Sequence, residues 1–241
     1  MRQQALCYHA ISPNWPADLS VMPDRFAAQV TWLARRGYRG VTFSDAVEAG
    51  ADAKVVAITF DDAYRSVLEL AAPVLDRLGW PATVFVPTAF PDRDGPMSWE
   101  GIDHWIGGPH ENEMHCLSWD ELHGLADRGW EVGSHTRRHP HLTRLADDEL
   151  LAELRESREE CEAGMGRPCR SIAYPYGDYD DRVIDATRTA GYESAATLTA
   201  LLPDPQPLAW PRKGIYHRDP RWRWWLKLSP AVTAVRARRA A

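Results

Sequence analysis

The run Val55-Val56-Ala57-Ile58-Thr59-Phe60 shows no alternation of polar and apolar side chains, and two carboxylates, Asp61 and Asp62, follow it at once. A strand that is apolar on both faces has to be covered on both faces, as in a parallel sheet wrapped by helices. The rest of the chain repeats this theme. Strand-like runs at 4–9, 39–43, 54–60, 82–86, 130–133, 170–174 and 194–199 alternate with segments of helical period at 24–36, 64–78, 147–163 and 180–189. Gly37 and Gly79 are natural helix ends, Ser118 with Glu121 forms a capping box, and Pro73 should kink the 64–78 helix. Seven or eight strand–helix units with short connections predict an α/β fold, a distorted (β/α)7-8 barrel of parallel strands with outer helices. One domain over 1–241 is expected, with its core at about 4–217 and a basic tail at 221–241.

Charge and cysteine usage exclude several classes of function. The formal net charge is −6, yet from Arg221 onward there are six basic residues and no acidic one, so the acidic excess lies in the body. That balance argues against a nucleic-acid surface. Cys7, Cys116, Cys161 and Cys169 form no CxxC pair and read as ordinary thiols, neither a disulfide framework nor a cysteine zinc site. No apolar run approaches the ~20 residues of a membrane span. No basic, apolar and small-residue succession of a secretory signal is visible, so a cytoplasmic location is expected. The tail Arg221-Trp222-Arg223-Trp224-Trp225-Leu226-Lys227-Leu228 has two readings, a helix docked on the barrel wall or a peripheral contact with an anionic membrane at its inner face. Oligomeric state is not encoded in any pattern here.

The polar residues cluster by position. His9, Asp61-Asp62, His135 and Tyr174-Pro175-Tyr176-Gly177 each stand at or just past the C-terminal end of a predicted strand, the face on which β/α barrels carry their active sites. Asp61-Asp62 can offer one carboxylate to a metal and the other to a water, or can simply cap the following helix. His135 and His139 lie four apart; on a helical turn their Cβ atoms would be about 5–6 Å apart and both rings could reach one ion. Two imidazoles and a carboxylate leave coordination positions open, as a catalytic zinc-type site requires. The stretch 88–117 lacks periodicity and is long enough to form a binding rim. In or beside it, Trp99, Trp105 and Trp119 are candidates for stacking on a sugar ring, Trp99 foremost, whereas His104, His110 and His115 read as solvated.

Thr59-Phe60-Asp61-Asp62-Ala63-Tyr64, Gly133-Ser134-His135-Thr136-Arg137-Arg138-His139-Pro140-His141-Leu142 and Tyr174-Pro175-Tyr176-Gly177, in that order and spacing, resemble the successive motifs of the polysaccharide deacetylase family, carbohydrate esterase family 4. The likeness runs from about Leu6 to Tyr216, and Leu6-Cys7-Tyr8-His9 with Trp210-Pro211-Arg212 resembles the exopolysaccharide-type branch. The resemblance implies a hydrolase that removes N-acetyl groups from an N-acetylhexosamine-containing glycan or glycan precursor. It implies Asp61 as general base, Asp62, His135 and His139 as ligands of a divalent metal (zinc, with cobalt or nickel as alternatives), and the Tyr174-Pro175-Tyr176-Gly177 motif on the substrate side, to which the loop residue Trp99 is added as a stacking candidate. Two departures stand out. Ala63 replaces the usual Gly, and Ala173 stands where many members carry the Arg that orients the base; Arg212 is then the candidate to supply that charge. A late Leu-x-His motif has no clear match, which leaves His9 and His217 as candidate acids. Rival readings are an O-deacetylase, a deacetylase of a lipid-linked amino sugar, and a catalytically silent glycan-binding barrel.

Overall fold

The computed structural model describes residues 3–49, 53–198, 205–219, 224, 226 and 227. In chain order the elements are β1 Gln4–Tyr8, β2 Ala10–Ile11, β3 Ser20–Val21, α1 Pro23–Arg35, β4 Arg39–Val41, α2 Phe43–Glu48, β5 Val55–Phe60, α3 Ala72–Asp76, β6 Thr83–Val86 and α4 Trp119–Ala126. They continue with β7 Glu131–Ser134, α5 Asp147–Met165, β8 Ser171–Ala173, α6 Asp181–Thr189, β9 Ser194–Thr197, β10 Trp210–Pro211 and β11 Lys213–Gly214. β2 and β3 pair only with each other.

The remaining strands form one parallel sheet in the order β10-β9-β8-β7-β6-β5-β1-β11. Its two end strands are separated in the chain only by Arg212, so the sheet curls nearly closed into a barrel at that residue. Distortion comes from β5, whose outer edge is shared: β4 pairs with its first half, Val55 to Ala57, and β6 with its end, Thr59 and Phe60. Every residue of β5 is buried, as its unbroken apolar run requires. The main core lies between the sheet and its helices, where Leu6, Ile58, Val84 and Ile172 meet Phe26, Leu75, Leu125 and Leu154. Inside the barrel, Gly133 is dictated by space: a Cβ there would lie 2.5 Å from Ser171 Oγ and 2.7 Å from the Phe85 ring.

Several local expectations change. Phe43 begins α2 and does not end a strand, because the Thr42 hydroxyl accepts from Asp45 N–H at 3.2 Å and starts a helix. The 64–78 segment is a π-turn at Val67–Ala71 running into α3; Ala72 N–H bonds to Val67 O, and Pro73 sits in the first turn of α3 where no N–H is needed. The capping box at Ser118 forms, with Glu121 N–H donating to Ser118 Oγ and Ser118 N–H to Glu121 Oε2. The 88–117 stretch builds a second small core of Trp15, Tyr64, Met97, Ile102 and Met114, against which Phe90, Trp99 and Trp105 pack.

Thr199 and most of the basic tail, including Arg221, Trp222, Arg223, Trp225 and everything from Leu228 on, lie outside the described residues. Trp224 packs edge-on against Trp32 at 4.9 Å, and Lys227 Nζ reaches Asp219. No helix among the described residues is long and apolar enough to cross a membrane.

Candidate active site

The strand ends deliver their polar side chains to one cavity of about 490 Å³, lined among others by His9, Asp61, Asp62, His135, His139, Trp99 and Tyr176. Its floor is made of groups with little exposure to bulk solvent: His9, Asp61, Asp62, His135, His139 and Arg212 are all buried. The backbone there is forced. Asp62, Ala63, Thr136, His139 and Tyr176 all have positive φ, which non-glycine residues adopt only at a cost of about 1–3 kcal/mol each. Ala63, standing where relatives of the motif carry Gly, therefore keeps the left-handed turn despite its Cβ, with φ 52°.

His135 and His139 converge, though not as sequence spacing implied. They sit in a loop after β7, not on a helical turn, and left-handed residues at Thr136 and His139 swing the two rings together. That loop is tied down from both sides. Arg137 and Arg138 N–H both donate to Glu153 Oε1 of α5 at 2.8 and 2.7 Å, and Thr136 N–H donates to Ser134 Oγ at 3.0 Å.

His135 Nδ1 lies 2.8 Å from Ala173 O. A carbonyl only accepts, so Nδ1 carries the proton and the Nε2 lone pair points inward. Inward stands Asp62 Oδ1, 3.4 Å from His135 Nε2 and 3.5 Å from His139 Nε2. That carboxylate oxygen is buried and has no hydrogen-bond partner among the described residues. A buried orphan acceptor facing two imidazole nitrogens is costly as it stands. A divalent cation among Asp62, His135 and His139 satisfies all three, so the donor set fits a metal. Burial, with the nearby His135 and His9, pulls His139 down to about 3, so its ring is neutral and free to ligate. Burial opposes charge on His135 as well, but Asp61 and Asp62 outweigh it and hold that ring above the usual value.

Asp61 is oriented by Arg212. The guanidinium is fully buried and donates Nη1 to Oδ1 at 2.6 Å and Nη2 to Oδ2 at 2.7 Å, with a third bond to Thr59 Oγ1 at 2.8 Å. Burial raises the pKa of Asp61, yet Arg212 and His135 more than offset it, and the carboxyl is held below the usual range. The charge that Ala173 does not carry is thus supplied from the seam between the sheet's two end strands. Cys7 is a buried free thiol, as expected, and its Sγ donates to Asp61 Oδ2 at 3.3 Å. Strand period two places Cys7 and His9 on one face of the chain, and that signal was available in the sequence. His9 lines the cavity, and its Nδ1 has no hydrogen-bond partner among the described residues. Burial, with Arg212 and His135, lowers its pKa and favours the neutral ring.

The remaining candidates divide. Tyr176 faces the cavity, stacks on His141 at 3.8 Å and donates its hydroxyl to Glu100 O at 3.0 Å. Tyr174 points the other way, into the main core, with its hydroxyl on Leu208 O at 2.9 Å. Pro175 is buried, and neither it nor Gly177 lines the cavity; Gly177 is required because a Cβ there would meet Leu198 Cβ at 2.6 Å. Trp99 and Trp105 line the cavity, and one face of Trp99 is already taken by the His139 ring. Trp119 packs against Gly164 of α5 instead. His104, read as solvated, is exposed but stands on the cavity rim, while His217 is not among the lining residues.

A parallel barrel with two carboxylates and two histidines at its mouth defines a class of site able to hold a metal ion, and comparison with known proteins gives the family. The sequence model of the polysaccharide deacetylase family matches residues 48–195, and the chain belongs to that family. A poly-β-1,6-N-acetyl-D-glucosamine N-deacetylase of Staphylococcus epidermidis is 25% identical over 202 residues, covering 78% of this chain and 65% of its own length. YxkH of Bacillus subtilis is 28% identical over 197 residues, covering 80% of this chain and 63% of its own. The chain thus spans less than two thirds of these relatives. The crystal structure of BC0361, a polysaccharide deacetylase from Bacillus cereus, superposes with TM-score 0.73 at 26% identity, over 94% of this chain and 68% of that one. IcaB from Ammonifex degensii shares the fold with TM-score 0.76 at 23% identity, over 94% of this chain and 97% of its own.

Proposed function

We propose that this chain is a metal-dependent hydrolase that removes N-acetyl groups from N-acetylhexosamine units of a glycan. The observation that carries this reading is the orphaned Asp62 Oδ1 facing two imidazole nitrogens, with the Arg212-held Asp61 carboxylate next to it in sequence on the same cavity floor. Asp62, His135 and His139 would hold the ion, and zinc suits two nitrogens and one carboxylate, with cobalt or nickel as substitutes. When bound, such an ion supplies Lewis acidity to an amide carbonyl and to the attacking water. The chain's own groups do the rest. Asp61, ionised and fixed in direction by Arg212, accepts the proton of the attacking water. Arg212 also keeps that carboxylate from turning toward the ligand set. His9, buried on the same cavity wall with its Nδ1 unpaired among the described residues, is the candidate to return a proton to the departing amine nitrogen. Tyr176 borders the space where the acetyl group would sit.

The curated relative named for poly-β-1,6-N-acetyl-D-glucosamine supports N-acetylglucosamine as the sugar. The test is acetate release from N-acetylglucosamine oligomers and from matched O-acetyl sugars, using metal-depleted protein reloaded with zinc, cobalt or nickel. N-deacetylation that appears with metal and is lost in Asp61→Asn and His135→Ala is expected. Undiminished release by both variants, or release only from O-acetyl sugars, refutes the assignment.

A further inference from the structure

The two proposed histidine ligands are supported in different ways. His135 has the usual outer contact, its Nδ1 on the Ala173 carbonyl at 2.8 Å. His139 has none: its Nδ1 is buried without a hydrogen-bond partner among the described residues, and its backbone sits at φ 61°. What surrounds the His139 ring is aromatic. Trp99 stacks flat on it at 4.3 Å and 17°, and Tyr176 and His135 meet it edge-on at 4.6 and 4.8 Å.

Trp99 does not belong to the barrel. It is carried by the 88–117 stretch, whose side chains form the separate small core around Trp15, Met97, Ile102 and Met114. Within that stretch Trp99 is fixed by Phe90 packed edge-on at 5.4 Å and by Ile102 and Asp103 N–H donating to its carbonyl, both at 3.2 Å. Met97 N–H bonds to Met114 O at 2.9 Å and closes the stretch on itself. A second link runs across the cavity mouth, where Tyr176 Oη donates to Glu100 O and Arg144 pairs with Glu100 at 3.3 Å.

We propose that Trp99 is a positioning residue for the metal ligand His139, so that metal retention depends on the folding of the 88–117 flap. The inference rests on the metal-site reading above. Stacking takes the place of the missing hydrogen bond: the flat contact with the indole plane, flanked by the edge-on rings of Tyr176 and His135, keeps Nε2 aimed at Asp62 Oδ1. The flap is thereby more than a rim that touches substrate, because loosening its core frees His139 without any change to a ligand.

Zinc affinity of the metal-depleted full chain, measured by competition with a chromophoric chelator, tests this for the parent, Trp99→Ala, Trp99→Phe and Met114→Ala. Trp99→Ala is expected to weaken zinc by about 10–100-fold, the range for loss of an outer-shell support. Trp99→Phe should restore most of that affinity, since a flat ring is retained. Met114→Ala, a fully buried flap residue that does not line the cavity, should weaken zinc with Trp99 still present. The visible spectrum of the cobalt-loaded protein should change in Trp99→Ala and stay near the parent in Trp99→Phe. Melting of the metal-free proteins is recorded alongside. Parental zinc affinity in Trp99→Ala, whatever its melting temperature, overturns the proposal. A parent that binds no zinc, cobalt or nickel overturns the metal-site reading itself, and the two failures are told apart by the parent's own titration.

Discussion

Replacing Arg212 by Met isolates the pair on which the candidate base depends. The guanidinium is 0% exposed and makes two bonds to Asp61, at 2.6 and 2.7 Å, and one to Thr59. Met fills much of the same volume, so the packing loss is small and the main effect is electrostatic. Removing one partner of a buried pair costs about 3–5 kcal/mol, because the other charge is left uncompensated. For a chain of this size, roughly 2–4 °C of melting temperature corresponds to each kcal/mol, giving a fall of about 6–20 °C at pH 7. The sign with pH is distinctive. In the parent, Asp61 has a folded pKa below its ordinary 3.8, so its contribution is present above that value and is lost only as pH falls through the folded one. Without Arg212, burial, the largest influence and one that raises the pKa, is opposed only by His135 and His9, so the folded pKa should move upward. The penalty should then shrink as pH is lowered from 7 toward 4.5, as the buried carboxyl takes up a proton. Adding Asp61→Asn to Arg212→Met should recover most of the loss at pH 7. Urea unfolding at pH 7 and pH 4.5 for the four members of the cycle measures this. A penalty independent of pH, or additive single variants, would falsify the claim that Arg212 exists to hold Asp61.

Other outcomes follow from the same geometry. Asp61→Asn should keep zinc affinity near the parent's while lowering deacetylation by about 10²–10⁴-fold, the usual contribution of a general base; loss of zinc together with activity would make Asp61 a ligand instead. Because Arg212 keeps Asp61 ionised below the ordinary carboxylate range, the acid limb of the activity profile should not track a pKa near 4; in Arg212→Lys it should move upward, and an unmoved limb would assign it to another group. Gly133→Ala should destabilise by about 1–3 kcal/mol through its clash with Phe85 and Ser171, read by melting temperature, with parental stability showing that the barrel interior yields.

Much of this protein was legible in one dimension because the relevant physics is local. The unbroken apolar run of β5, the capping box at Ser118 and the polar residues at successive strand ends each record burial or hydrogen bonding within a few residues of chain. Those patterns were enough to give a parallel barrel and to gather Asp61, Asp62, His135 and His139 at one mouth. Only the tertiary structure decided which partners these groups have. Arg212 lies 151 residues from Asp61, and their contact exists because β10 and β11 bring the last strand beside β1. Strand order and register are properties of the closed sheet, which no local periodicity encodes. Nor did residue type alone announce the left-handed backbone at Asp62, Thr136 and His139, which tertiary packing and hydrogen bonds such as Thr136 N–H to Ser134 Oγ and His139 N–H to Thr136 Oγ1 hold in place. His135 and His139 thus converge through a left-handed loop and not through the helical spacing that four residues would suggest. The same holds for Trp99: its composition announced an aromatic at a rim, while its stacking on His139 arises from a loop core assembled out of Trp15, Tyr64 and Met114, far apart in sequence.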